Sequence, residues 1–271
     1  MIKVVARISI CIVAITTPMY GHGDVHERIV LLGKEIEQAP QPARLLLLRA
    51  ELYRLDGDYV AARADAENAR RHDPQLPGLA WISARISQDA GMFAEARTYL
   101  DSHLQSQPRD GSAWVMRGRL SEQLQEVEVA IADYSRALAL TTMPDPDVPC
   151  RLAVLLHQQK RSDNALALLA IHESSFGNVP IFLETALHIE CATKQYALAL
   201  QRIDRQLPQQ ERKERWFIQR GDVLCQQGDK AAAKLAYQAA LDAIASLPTS
   251  RRNTQATQEL VNQLSTILDQ E

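Results

Sequence analysis

Alanine returns along this chain at a nearly constant interval, and this periodicity restricts the fold more than any other feature of the sequence. Six alanines are separated by 34 residues, except for one interval of 35. A second series, small residues with one exception, runs twelve positions ahead of the first, and a third runs four positions behind it. Three series with one period indicate six copies of a structural unit. The first series is Ala62, Ala96, Ala130, Ala165, Ala199 and Ala233; the second is Ala50, Ala84, Gly118, Ala153, Leu187 and Gly221; the third is Ala66, Leu100, Tyr134, Leu169, Ile203 and Tyr237.

Each copy has the pattern of two apolar helices joined by a short turn and closed by a stop. The small residues have a physical reason, because a side chain larger than alanine at a helix crossing would hold the two backbones beyond their usual packing distance. Turn signals stand at Gly57-Asp58, Gly91-Met92 and Gly228-Asp229, and prolines mark the other boundary at Pro40, Pro74 and Pro108.

These residues and their spacing resemble the tetratricopeptide repeat, whose pattern combines an aromatic, a small residue, a tyrosine, an alanine, an aromatic and a proline. The resemblance is closest in the third copy and clear in the first. The matching positions are Trp114, Gly118, Ala130, Tyr134 and Ala137 in the third copy and Ala50, Tyr53, Ala62, Ala69 and Pro74 in the first. Copies four and five match in spacing more than in residue type, since Lys160 and Lys194 replace the turn glycine and Leu187 occupies a small position.

The resemblance implies an all-α fold: a right-handed superhelical solenoid of antiparallel helix pairs, with about six repeats and a capping helix at each end. We expect one continuous domain over residues 24–271. The repeats are expected at about 43–76, 77–110, 111–145, 146–179, 180–213 and 214–247, and the capping helices at about 25–39 and 251–269. Val25, Ile29, Leu32 and Ile36 would cover the first hairpin, and Leu260, Val261, Leu264, Ile267 and Leu268 the last, with Thr249 or Ser250 as the helix cap.

Residues 1–23 have the character of a secretory signal peptide. Lys3 and Arg7 precede a short apolar stretch that ends at Thr17, and this stretch is too short to cross a bilayer. Cleavage after Gly21 or after Gly23 would each leave a small residue at the cut. We therefore expect a periplasmic or secreted protein with no membrane span.

Composition narrows the classes of partner and chemistry. The net charge of -3 gives no general attraction for nucleic acid. If Cys11 leaves with the signal, the three remaining cysteines are Cys150, Cys191 and Cys225, so at least one thiol stays unpaired. A phosphate-binding glycine loop, a nucleophile elbow, a C-x-x-C pair and an H-E-x-x-H zinc motif are all absent from the sequence. We expect no catalysis and no cofactor.

The resemblance also implies a partner-binding groove lined by the first helix of each hairpin. The expected groove residues are Arg44, Leu47, Glu51, Arg54, Trp81, Arg85, Val115, Arg119, Arg151, His157, His188 and Cys191. Arg85 and Arg119 hold one slot in neighbouring copies and could grip a carboxylate, or else pair with Glu51 and Glu122. Trp81 is either a binding anchor or a helix-packing aromatic.

A possible set of metal ligands falls on neighbouring first helices, at His157, His188, Cys191 and Cys225. These residue types suit a borderline metal, although buried histidine and cysteine are also ordinary packing residues.

Three candidate functions follow from the sequence. The first is a scaffold that binds a peptide or helix of an exported protein. The second is a structural subunit of an envelope assembly or a self-associating oligomer, and the third a metal-binding accessory protein.

Overall fold

A computed structural model describes residues 22–176 and 179–269 of the 271-residue chain. The expected signal peptide falls on residues 1–23, of which 1–21 lie outside the described ranges. The described residues form fifteen α-helices in consecutive pairs and no strand, which confirms the all-helical prediction. The helices are α1 (His22–Gln38), α2 (Ala43–Asp56), α3 (Tyr59–His72), α4 (Leu79–Asp89), α5 (Phe93–Ser106), α6 (Gly111–Gln123), α7 (Val127–Leu140), α8 (Asp147–Gln158), α9 (Ser162–Phe176), α10 (Pro180–Ala192), α11 (Tyr196–Gln206), α12 (Glu214–Gln227), α13 (Lys230–Ala245), α14 (Thr249–Arg252) and α15 (Gln255–Asp269).

The chain divides into two compact units, one up to Gln125 and the other from Glu126 onward. In the first unit, α2 pairs with α3 and α4 with α5, while α1 packs on α2 and α5 packs on α6. In the second unit, α8 pairs with α9, α10 with α11 and α12 with α13, and α15 packs on α13. That residues 24–271 form a single domain stays a prediction.

The turns between paired helices are built from the residues that the sequence singled out. Gly57 ends α2 with φ 86°, a left-handed conformation that suits glycine, and Asp58 then caps α3 by accepting a hydrogen bond from the Ala61 amide at 3.0 Å. Gly228 and Asp229 repeat this arrangement between α12 and α13. The Gly-Asp dipeptide therefore stops one helix and starts the next.

Copies three to five use other residues in the same backbone conformation. Gln125, Lys160 and Lys194 have φ values of 61°, 59° and 60°. The amide of Lys194 donates to the Cys191 carbonyl at 3.0 Å, and the next amide donates to the Glu190 carbonyl at 2.7 Å. The turn geometry is thus retained where the glycine is missing. A non-glycine residue in the left-handed conformation is energetically unfavourable, so these turns are strained.

The core follows the periodic small residues. All six alanines of the first series have no exposed surface. Around them lie larger buried side chains, such as Leu100 and Leu120 in the first unit and Phe182, Ile189 and Tyr237 in the second. Close packing of helices onto alanine positions explains why so few aromatic residues suffice to fill this core.

The terminal helices bury some of the residues expected of caps. Val25, Ile29 and Leu32 are buried on α1 and Leu264 on α15, while Ile36, Leu260, Val261 and Leu268 are half-buried. Ile267 is 39% exposed, which corrects its expected place in the covering stripe. The predicted cap at Thr249 or Ser250 is wrong for the last long helix. These two residues instead begin the short helix α14, and α15 starts after Thr254, whose hydroxyl accepts from the Thr257 amide at 3.3 Å.

Candidate functional site

The first helices α10 and α12 form a groove in the second unit. Its volume is about 460 Å³, and apolar side chains from both helices, including Leu187 and Val223, alternate there with polar ones. The remaining lining residues are Glu184, His188, Cys191, Ala192, Gln219, Asp222 and Gln226. This mixture of apolar contacts and hydrogen-bonding groups is typical of a surface that accepts a peptide.

Asp222 is one of the two carboxylates that line this groove. One of its oxygens accepts a hydrogen bond from the Tyr237 hydroxyl at 2.8 Å, which orients the carboxylate. Burial raises the pKa of Tyr237, and the bond to Asp222 acts in the same direction, so this tyrosine stays a hydrogen-bond donor at neutral pH. Within the described ranges Asp222 has no Arg or Lys partner, whereas Glu184 pairs with Arg215.

His157 and His188 come together, as the repeat spacing predicted. Their ring centroids are 6.3 Å apart in an edge-to-face arrangement, and His157 Nδ1 is hydrogen-bonded to the Ser162 hydroxyl at 2.9 Å. His188 is exposed and lines the groove. In residues 22–176 and 179–269, His, Cys, Asp and Glu side chains form no group of three or more that could hold a metal ion.

In the first unit, the predicted groove residues form an ion-pair network across α2 and α4. Glu51 accepts from Arg85 Nη1 at 2.8 Å and from Arg54 Nε at 2.8 Å, and Arg54 also pairs with Asp89. Arg85 is therefore paired with Glu51, which is one of the two roles that the sequence allowed. Two carboxylates and two guanidinium groups balance each other here, so this surface carries little net charge.

The other predicted groove residues differ in their surroundings. Trp81 is half-buried and packs against the core between α4 and α5, with its ring centroid 5.4 Å from that of His103. Leu47 is buried, Val115 and Arg119 are half-buried, and Arg44 is exposed. Arg151 is also exposed and donates to Asp147 one turn earlier at 2.6 Å.

Two of the three cysteines, Cys150 and Cys191, have thiols of low reactivity in this structure. Cys150, Cys191 and Cys225 carry free thiols. Burial raises the pKa of the Cys150 thiol to about 11, and burial likewise raises that of Cys191. Both thiols are thus protonated at neutral pH, the form with little nucleophilic or metal-binding capacity.

Comparison with known proteins supports the repeat assignment in both units. A family model described as Tetratricopeptide repeat matches residues 84–142, and one described as Tetratricopeptide repeat-like domain matches residues 187–263. The chain belongs to the tetratricopeptide repeat family. The second match begins within α10 and includes α12, so it covers most of copies five and six and all the groove residues except Glu184.

Relatives share the tetratricopeptide fold at low sequence identity. Tetratricopeptide repeat protein 16 from Macaca fascicularis is 25% identical over 225 residues, which are 78% of this chain and 23% of that protein, so the chain spans less than a quarter of it. A crystal structure of a tetratricopeptide repeat protein from Parabacteroides merdae has a TM-score of 0.54 at 18% identity and covers 90% of this chain and 93% of its own. YrrB, described as a tetratricopeptide protein with an unusual peptide-binding site, has a TM-score of 0.51 at 14% identity, with 74% and 97% covered.

Sequence reasoning found His188 and Cys191 in the groove but missed Glu184, Gln219 and Asp222. The repeat spacing could have identified Asp222, because Asp222 occupies the same position of its tetratricopeptide repeat as Arg85 and Arg119 occupy in theirs.

None of the helices in the described ranges combines the length and the apolar character that a membrane span requires.

Proposed function

We propose that this chain is a non-catalytic scaffold that binds a peptide or helix of a partner protein in the groove of α10 and α12. The single observation that carries the proposal is the groove itself, about 460 Å³ in volume, which is lined by both polar side chains, such as Asp222 and His188, and apolar ones, such as Leu187 and Val223. An extended segment can pack apolar side chains against Leu187 and Val223 while its backbone bonds to Gln219 and Gln226.

The family supports a binding role, since repeat arrays of this kind act through extended surfaces that contact other proteins. YrrB is described as having a peptide-binding site, and its likeness to this chain concerns the fold. We further propose that the partner is an exported protein, since residues 1–23 have the character of a signal peptide.

A peptide-display library panned on the purified chain tests the groove. Selected peptides, labelled with a fluorophore, are expected to bind with anisotropy changes that saturate. The variant Asp222→Lys is expected to weaken this binding at least about tenfold, because it reverses the charge of a residue that lines the groove. The matched control Asp56→Lys makes the same charge change at an exposed position of α2 in the first unit and is expected to bind normally. Peptides that bind both variants as well as the wild type would place the site elsewhere.

Export has its own test. Cell fractionation and mass spectrometry of the mature protein are expected to show a periplasmic chain that begins at His22 or Asp24. The variant Val13→Asp interrupts the apolar stretch and is expected to retain the precursor in the cytoplasm. A full-length chain in the cytoplasm of the wild type would reject this part of the proposal.

A further inference from the structure

One position of the repeat, directly after the small residue of each first helix, carries different charges in different copies. The first two copies have Glu51 and Arg85 there, and the last two have His188 and Asp222. In the first unit, Arg85 Nη1 donates to Glu51 at 2.8 Å, so the two side chains neutralise each other within the chain. Side chains at this position on neighbouring first helices can therefore contact each other.

The same position is not neutralised in the groove of α10 and α12. His188 and Asp222 are both exposed and both line the groove, yet within the described residues no ion pair joins them. Both arginines of α12, Arg215 and Arg220, pair with other carboxylates. None of the described residues that line the groove is Lys or Arg. The groove therefore presents a carboxylate whose charge the described chain does not balance.

Tyr237 orients this carboxylate from the neighbouring helix α13. Its hydroxyl donates to Asp222 Oδ1 at 2.8 Å, and its ring is 4% exposed within the core of the second unit. The second oxygen, Oδ2, accepts no hydrogen bond from the described residues. A carboxylate that is already oriented loses less conformational freedom when it binds a ligand, which favours binding.

Building on the function proposed above, we propose that the segment bound in this groove presents a Lys or Arg side chain to Asp222. The cationic group donates to Oδ2, while the alkyl stem packs along the apolar side chains of Leu187 and Val223. Charge complementarity selects a basic partner segment, because the lining contains carboxylates and no Lys or Arg that would repel it.

Parallel selections from one peptide-display library test the proposal, with the wild type, Asp222→Asn, Asp222→Lys and the control Asp56→Asn as baits. Asp222→Asn keeps the shape of the side chain and an acceptor for the Tyr237 hydroxyl, but removes the charge. Asp56 is exposed in the first unit. Peptides selected on the wild type and on the control are expected to carry Lys or Arg at one fixed position beside apolar residues. This preference is expected to disappear with Asp222→Asn and to change to Asp or Glu with Asp222→Lys.

A pair of peptides then measures the contact itself. One is a selected basic peptide and the other its analogue with Met in place of the basic residue, and both are titrated by fluorescence anisotropy. The wild type is expected to bind the basic peptide about fivefold more tightly than the analogue, the upper end for an exposed ion pair. Asp222→Asn is expected to bind the two peptides equally, since the interaction needs both partners. High ionic strength is expected to reduce the difference seen with the wild type.

Backbone amide NMR distinguishes a groove without charge preference from a groove that binds no peptide. Peptides that shift the amide signals of Gln219 and Gln226 occupy the groove whatever their charge. Groove-bound peptides with no basic preference, or with an acidic one, would overturn the basic-segment proposal alone. A fivefold difference between the two peptides that survives in Asp222→Asn would also overturn it. Selected peptides that leave both signals unchanged would reject the groove as the binding site, and the proposed function with it.

Discussion

The ring of Tyr237 lies in the space that a side chain on Gly221 would occupy. A Cβ atom built on Gly221 would stand 2.6 Å from Tyr237 Cδ1 and 2.8 Å from Cζ, closer than two carbon atoms can approach. The small residue of α12 and the aromatic residue of α13 are therefore fitted to each other. In copy five the corresponding residues are Leu187 and Ile203, which lie in one buried cluster, so a larger residue in the small slot is accompanied by a smaller residue opposite.

Gly221→Ala is expected to destabilise the second unit by about 1–3 kcal/mol, the usual cost of overpacking a core. The sign of this change in the free energy of unfolding is informative, because alanine normally stabilises a helix interior by about 0.5–1 kcal/mol relative to glycine. Gly33→Ala on α1 is the control, since its Cβ would meet only the flexible end of Arg49, at 3.3 Å. Urea unfolding followed by circular dichroism measures both. A stabilised Gly221→Ala chain would contradict the packing seen here, and Gly221→Ala with Tyr237→Leu is expected to recover part of the loss.

Lys194→Gly is expected to stabilise the chain by about 1 kcal/mol, because glycine relieves the strain of a left-handed residue. Gly228→Lys, at the equivalent turn with φ 92° and no atom within 4 Å of the built Cβ, is expected to cost a similar amount. Thermal unfolding compares the two variants. Changes of the same sign in both would show that the backbone conformation is not the cause.

Arg202→Ala is expected to cost about 3–5 kcal/mol, the range for breaking a buried ion pair. Glu190 is 2% exposed, and Arg202 donates to it from Nη2 at 2.8 Å and to Glu173 from Nη1 at 2.8 Å. Removal of the guanidinium leaves a buried carboxylate without its cation. Arg220→Ala removes the exposed pair with Asp204 and is expected to cost less than about 1 kcal/mol. Equal losses in the two chemical-denaturation curves would contradict this distinction.

The stability of the second unit is expected to fall on acidification partly through His172. Burial near Phe176 and Phe182 lowers the pKa of His172 below its ordinary value of 6.5. The unfolded chain then binds a proton more readily than the folded chain. The contribution is complete above pH 6.5 and is lost progressively as the pH falls toward the lower pKa of the folded state.

Urea unfolding of the wild type and of His172→Gln at pH 7.5 and pH 5.5 measures this effect. Carboxylates are protonated by acid in both proteins, so the difference between the two proteins gives the contribution of His172 to the pH dependence of stability. The wild type is expected to lose more stability between the two pH values than the variant does. An equal loss would show that His172 has an ordinary pKa in the folded chain.

Much of the helix pattern could be predicted because its causes are local. The glycines at 57 and 228 and the aspartates after them define turns through backbone geometry and capping, which depend on neighbouring residues only. Lys160 and Lys194 were read as weak turns, yet their backbones adopt the same left-handed conformation as the glycines. The left-handed conformation is unfavourable for lysine, so the preference of the residue alone did not predict these turns.

The sequence by itself determined the 34-residue period, the paired helices and the small residues at their crossings, because a pattern present in six copies can be recognised without coordinates. Only the tertiary structure decided which charged groups meet. Arg85 could bind a partner or pair within the chain, and its contact with Glu51, 34 residues away, is set by the approach of α2 to α4. The burial of Glu190 and Glu214 was equally invisible, since an acidic residue at a helical position is exposed or buried according to what packs against it.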